Sequence, residues 1–289
     1  DFSGIQCLLD VEFLVASLRS IACWLTASPS NSAVIINTSG PTAGPQTALY
    51  VACLLIHTHV LRAYNVRLDA SAVSAAPWLA RLCGPDTVVC ALQNGVEQAD
   101  RLRPYCPESA VVPAAIWIAA ETQPEGWVKV LGAPRLVLPE VPAAVRLATA
   151  LDGSGIAVDL DPDFLSAAWR KLLVNAVVGF MVLSGRRSGM FRRDDVAVVA
   201  RRYLAECLAV ARAEGAALPD SVVDEIAGML EQAPPDMATS MLIDRQADRP
   251  LEWDIRNGVI QRKGAEHGIA TPISDILVPL LAAASDGPG

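Results

Sequence analysis

Lys171 and Asn175 stand four residues apart inside the apolar run from Phe164 to about Leu183. Around them Leu165, Trp169, Leu172, Leu173, Ala176 and Val177 recur at steps of three and four, which predicts a helix. A spacing of four puts the two polar side chains on one helix face, a turn apart. A helix that is apolar nearly all round is usually buried, and lysine is seldom buried without a partner. The pair therefore points to a wet, polar pocket in an apolar setting, where an ammonium could give up a proton or meet developing negative charge. The plainer alternative is that Lys171 snorkels to the surface and Asn175 bonds a loop.

Other stretches carry groups of similar kind. Asn94 follows Thr87 to Leu92, a short continuous apolar run of the sort found in a strand buried on both faces. It thus falls just past the carboxyl end of a parallel strand, where open α/β sheets hold ligands. Ser240-Met241-Leu242 precedes a predicted helix from Leu251 to His267, with Glu252 in its first turn. Taken alone, Glu252 reads first as an ordinary first-turn carboxylate favoured by the helix dipole. Asn257-Gly258 lies in the same helix, where glycine lets a backbone or a ligand come close.

The elements that must position these groups change character along the chain. Val34 to Asn37 and Leu49 to Ile56 could be strands, and only four of the first 61 residues are charged. Leu54 to Leu61 reads as a strand, Ala70 to Leu82 as a helix, Thr87 to Leu92 and Ala110 to Ala120 as strands. Trp127 to Val130 and Arg135 to Leu138 read as a hairpin around Gly132-Ala133-Pro134, Pro142 to Leu151 as a helix and Ile156 to Leu160 as a last strand. This alternation predicts a mostly parallel sheet covered on both faces. Beyond Asp161-Pro162-Asp163 the pattern is helical: Val196 to Glu214 closed by Gly215, Ser221 to Gln232 capped by Asp220 or Ser221, Leu251 to His267, and Ser274 to Ala284. The fold class is α/β, with an α/β domain over residues 1–162 and an all-helical domain over 163–289.

Composition narrows the function. The net charge of −8 and the lack of a dense basic cluster argue against nucleic-acid binding. Ala48 to Ile56 is too short to span a bilayer, so no membrane partner is expected, and the N-terminus shows no signal peptide. Seven cysteines, an odd number with no CxxC pair, suggest buried reduced thiols in a cytoplasmic protein. His57 and His59 would share one strand face, but without an evident third ligand no metal site is assigned.

Read together, the motifs resemble those of the ketopantoate reductase family, the 2-dehydropantoate 2-reductases. The matching residues are Gln93-Asn94-Gly95, Trp169 to Asn175, Ser240 to Asp244, Arg249 to Asp254, Asn257-Gly258 and His267 to Pro272. Each motif is weak alone; their order and spacing over about residues 54–280 are specific. The resemblance implies an N-terminal Rossmann-like dinucleotide-binding domain and NADPH-dependent reduction of 2-dehydropantoate to pantoate, in pantothenate synthesis. Lys171 would polarise the carbonyl, hold the growing alkoxide charge and donate the proton, a contribution typically worth about 3 kcal/mol. By the same resemblance Glu252 and Ser240 bind the hydroxyl and carboxylate end of the substrate, with Asn175 beside them. Asn94 bridges cofactor and substrate. These five side chains are expected to line one cleft between the domains. Cofactor contacts fall to Gly4, Arg62, Asn94 and Glu252, with no metal, and assembly as a homodimer is left open.

One departure matters. The family opens with a strand and GxGxxG, whose glycines let a pyrophosphate approach a helix N-terminus, whereas residues 1–30 hold the single glycine Gly4, in Ser3-Gly4-Ile5. The length before Lys171 nevertheless suits a whole nucleotide-binding domain, so a strand, tight turn and helix are expected within residues 1–25. Two explanations stay open, a shifted reading frame, which the charge-poor composition favours, and a degenerate cofactor site. Two other functions also stay open. One is reduction of another branched 2-oxo acid, with pocket shape depending on residues such as Phe180, Met181 and Met237. The other is non-catalytic binding by a protein with a degenerate cofactor site.

Overall fold

The computed structural model describes residues 33–37, 50–52, 79, 83–122, 128–152 and 155–287. The strand, turn and helix expected within 1–25, the strand Leu54 to Leu61, the helix Ala70 to Leu82 apart from Leu79, and the residues Gly4, His57, His59 and Arg62 lie outside the described residues. The chain divides into two units. One comprises residues 1–93 and 97–164; the other comprises 94–96 and 165–289.

In the first unit, β1 (Ala33–Asn37) pairs antiparallel with both β2 (Tyr50–Ala52) and β3 (Thr87–Ala91), and β3 pairs parallel with β4 (Ala110–Pro113). β3 is buried along its whole length. Val88 and Cys90 enter one apolar cluster with Leu136, Leu138 and Leu147, while Val89 and Ala91 enter another with Leu79, Leu102 and Cys106. Alternate residues of a strand face opposite ways, so this continuous apolar run serves two cores. A helix, α1 (Gln98–Leu102), and a short 3₁₀ turn lead from β3 to β4.

Three sequence expectations are corrected here. The sheets among the described strands are mixed rather than mostly parallel. The strand expected over Ala110 to Ala120 is two: β4 stops at Pro113, which has no N–H for the ladder, and β5 (Ala115–Thr122) joins a second sheet in the order β5-β6-β7. Gly132-Ala133-Pro134 is not a turn. It lies within the continuous strand β6 (Val128–Pro139), where Trp117 pairs with Arg135 but Ala119 pairs with Leu131. Residues chosen for a turn here make an irregularity in register, as glycine and proline within strands often do. β6 then pairs parallel with β7 (Ala157–Asp161), after α2 (Pro142–Ala150).

The second unit is helical. Its elements are α3 (Phe164–Val177, whose first residue belongs to the other unit), α4 (Gly179–Ser184), α5 (Asp194–Ala213), α6 (Ser221–Gln232), α7 (Ser240–Gln246), a π turn (Asp254–Gly258) running into α8 (Val259–Glu266), and α9 (Pro272–Ser285). One core holds them, built around Trp169, Tyr203, Leu204, Met181 and Leu281. The run Phe164–Ser184 is long and apolar enough to cross a membrane but is mostly buried inside the unit. It breaks at Val178, where the Asn257 amide donates to the Ala176 carbonyl at 2.9 Å. A side chain inserted into the ladder is a recognised cause of such breaks. Gly215, at φ +98°, ends α5: its N–H bonds Arg212 and the next N–H, of Ala216, bonds Ala211, closing the helix with a left-handed residue. Ser240 opens a helix of its own, capped by the Thr239 hydroxyl, and Asp220 makes no side-chain cap.

Glu206 of α5 closes the start of α9. Its carboxylate accepts from the backbone N–H groups of Ile273 and Ser274, both at 2.9 Å, and from the Ser274 hydroxyl at 2.6 Å. Glu206→Ala should lower unfolding free energy by about 1–2 kcal/mol, as the loss of a cap does. Urea unfolding followed by circular dichroism measures this; an unchanged midpoint would show that water replaces the carboxylate.

Candidate active site

Asn94-Gly95-Val96 leaves the end of β3 and belongs to the helical unit. Gly95 has φ +99°, and a Cβ there would stand 2.8 Å from the backbone oxygen of Ile255 in the π turn. Only glycine permits both that conformation and that approach. The approach carries the Asn94 carboxamide to α3, where Lys171 Nζ donates to Asn94 Oδ1 at 3.2 Å and Asn175 Nδ2 donates to the same oxygen at 3.4 Å. The two residues thus share a helix face. On its other side Asn94 Nδ2 donates to Glu252 Oε2 at 3.1 Å. An amide turned the other way would set its NH₂ against an ammonium and its oxygen against a carboxylate.

Glu252 precedes the π turn rather than lying in the first turn of a helix. Its Oε2 also accepts from Arg256 Nε at 2.9 Å and from Arg256 Nη2, and Nη2 donates to Ser240 Oγ at 3.0 Å. The five residues singled out from sequence are therefore linked within one unit in the order Lys171 and Asn175, Asn94, Glu252, Arg256, Ser240. Arg256 was not among them. Its signal was available, because it follows Glu252 by four residues, the spacing at which opposite charges meet on a helix.

The electrostatics are those of a reactive pocket. Lys171 is half-buried, and its pKa is lowered to about 7 by burial first and by the Arg256 charge second, with Glu252 opposing. The Glu252 carboxyl is raised, by burial first and also by Asp244, against the pull of Arg256 and the Asn94 bond. Glu252 Oε1 is buried without a hydrogen-bond partner. Buried acceptors are nearly always satisfied; Asn257 Oδ1 is also buried without a partner, and of the two Glu252 Oε1 is the one in the polar chain. A lysine with its pKa lowered to about 7, linked through Asn94 to a carboxylate with one unpaired oxygen, suits a reaction that places negative charge on an oxygen and then a proton.

Other motif residues build the frame. Asn257 donates to Ala176 and to Tyr203 Oη at 3.0 Å, away from the polar chain. Gly258 gives room to Asp254 and Arg262, Arg249 pairs with Asp244 at 3.2 Å, and His267 with Glu214 at 2.6 Å. Met181 is core, Met237 is exposed, and Phe180 packs edge-on against Tyr203 with ring centres 5.5 Å apart. No cluster of three or more metal-ligating side chains occurs among the described residues.

An α/β unit and a helical unit carrying such a lysine define a class of two-domain proteins suited to carbonyl reduction. The ketopantoate reductase PanE/ApbA family model matches residues 69–143, and the ketopantoate reductase PanE/ApbA C-terminal model matches residues 163–285. The 2-dehydropantoate 2-reductase of Mycobacterium tuberculosis is 68% identical over 216 residues, 75% of this chain and 73% of that one. That of Caulobacter vibrioides is 37% identical over 216 residues, 72% of each. A crystal structure of a PanE/ApbA family ketopantoate reductase from Ralstonia eutropha superposes with a TM-score of 0.68 at 31% identity, over 76% of this chain and 74% of that one. The chain belongs to the ketopantoate reductase family.

Gly95→Ala should cost about 1–3 kcal/mol, the usual range for a side chain forced into a disfavoured backbone conformation, and should push Asn94 away from Lys171. Chemical unfolding together with a crystal structure of the variant tests both parts; wild-type stability with Asn94 in place would contradict the close-approach argument.

Proposed function

We propose that this chain reduces 2-dehydropantoate to pantoate with NADPH, a step of pantothenate synthesis in the cytoplasm. The observation that carries the reading is the linked set Lys171, Asn175, Asn94, Glu252 and Ser240, standing at the family's motif positions. The 68% identical relative supports the substrate. The four described free cysteines, Cys83, Cys90, Cys106 and Cys207, suit a reducing compartment. The α/β unit takes the cofactor, and the helical unit, which includes Asn94, the substrate.

NADPH, when bound, supplies the hydride. Asn94 would hold its reactive end beside the substrate, its carboxamide fixed by Lys171, Asn175 and Glu252, and the contact of Glu252 with the cofactor rests on the sequence resemblance alone. The further contacts at Gly4 and Arg62 rest on the sequence alone. Lys171 Nζ points its protons at the ketone oxygen, stabilises the alkoxide as it forms, and transfers a proton to it. Asn94 and Asn175 fix the ammonium's direction. Glu252 Oε1 accepts from the substrate hydroxyl and Ser240 holds the carboxylate. Holding these non-reacting ends is what brings the carbonyl to the lysine.

Lys171→Ala should lower kcat with 2-dehydropantoate at least about a hundredfold, since the charge it meets appears mainly in the transition state. NADPH affinity should stay nearly unchanged and the protein should remain folded. Glu252→Gln, which keeps an acceptor for Arg256, should raise KM more than it lowers kcat. Steady-state kinetics with melting curves decide; a Lys171→Ala protein with wild-type kcat ends the mechanism.

The pH dependence has a definite sign. Reduction needs the protonated lysine, so kcat/KM should fall as pH rises through about 7 in the free enzyme. A profile flat to pH 9 would remove Lys171 as the donor.

A further inference from the structure

Arg256 is the member of the polar chain to which the proposed reaction gives no task. It is 3% exposed, its partner Glu252 2%. Two of its nitrogens donate to the same carboxylate oxygen, Oε2, which also accepts from Asn94. That oxygen is thereby filled and Oε1 is left without a partner. A side-on grip, one nitrogen to each oxygen, is the common alternative for an arginine and a carboxylate and would have engaged both. Ser240 Oγ accepts from the same guanidinium, so the hydroxyl's own proton must point to another acceptor. One buried side chain thus leaves an acceptor on Glu252 and a donor on Ser240, a pair that matches a ligand carrying a hydroxyl and a carboxylate.

Building on the proposed function, we infer that Arg256 is a positioning residue that sets the hydrogen-bond direction of both substrate-holding groups and thereby selects 2-oxo acids bearing a hydroxyl over those without one. Leaving such an acceptor unpaired penalises the analogue that lacks the hydroxyl more than a lost apolar contact would. The guanidinium charge acts on the reacting end as well. The charged groups that act on Lys171 are Arg256 and Glu252, and Asp244 acts in turn on Glu252. Among them Arg256 is the one that favours the neutral amine.

The test compares wild type, Arg256→Leu and Arg256→Lys on 2-dehydropantoate and on its analogue lacking the hydroxyl, 3,3-dimethyl-2-oxobutanoate. Arg256→Leu should raise KM for the hydroxylated substrate at least about tenfold, cut its kcat/KM preference over the analogue by a similar factor, and move the alkaline limb of the pH profile upward. Arg256→Lys, which keeps the charge without the fork, should restore the limb but not the preference. A merely structural arginine would lower the melting temperature of both variants while leaving preference and pH profile as in wild type, and that result overturns the inference. Should Arg256→Leu not fold, Arg256→Lys decides by preference alone: wild-type discrimination overturns, lost discrimination supports. Lysine-selective NMR titration of Lys171 in wild type and a folded variant reads the charge effect without turnover. A wild-type protein inactive on both substrates refutes the proposed function; an active wild type whose folded Arg256→Leu variant keeps full discrimination refutes this inference.

Discussion

A single carboxamide keeps the ammonium and the carboxylate of this site apart. Asn94 offers its oxygen to Lys171 and Asn175 and its NH₂ to Glu252. Were Lys171 to pair with Glu252 directly, the opposite charge would hold the lysine protonated well into the alkaline range. As it is, burial and the Arg256 charge outweigh Glu252 and lower the lysine's pKa to about 7. A donor matched to the working pH gives up its proton most readily. Much local structure serves this placement: the left-handed Gly95, its contact with Ile255, and the π turn that brings Glu252 and Arg256 alongside. Single π turns inside helices often mark functional sites.

The buried Arg256–Glu252 pair fits the same logic. Taking both charges out of water offsets most of their attraction, so such a pair stabilises a fold weakly, while removing one partner costs about 3–5 kcal/mol. Stability of the helical unit comes instead from its apolar core, where Trp169, Tyr203 and Phe191 are almost wholly enclosed. The polar chain lies against that core, and Trp169 and Lys171 of the same helix serve the two purposes on different faces. Under the proposed function, the orphaned oxygen of Glu252 is stability forgone in the free protein that a bound hydroxyl would recover.

Where the sequence carried a period or a spacing, it was readable. The four-residue step from Lys171 to Asn175 predicted their shared face, and the helix Ser221–Gln232 has the bounds its pattern suggested. Gly215 was legible as a helix stop because a left-handed residue there is a local requirement. Non-local pairing was not legible. Gly132-Ala133-Pro134 has the composition of a turn, and its partner strand made it an irregularity instead. Ser240 opens a helix because Thr239 caps it, a signal passed over for want of a long apolar run. Arg256 was not legible for a different reason: a Glu–Arg step of four reads as an ordinary surface pair until burial is known.

In the proposed reaction Lys171 meets the oxygen being reduced while Glu252 and Ser240 hold the other end of the substrate. A crystal structure of the protein with pantoate and oxidised cofactor bound tests it most directly. The expected result sets the hydroxyl made by reduction within about 3 Å of Lys171 Nζ, a hydrogen-bond distance, the second hydroxyl on Glu252 Oε1 and the carboxylate on Ser240 Oγ. Pantoate bound with its carboxylate on Lys171, or with Glu252 Oε1 still unpaired, would contradict it.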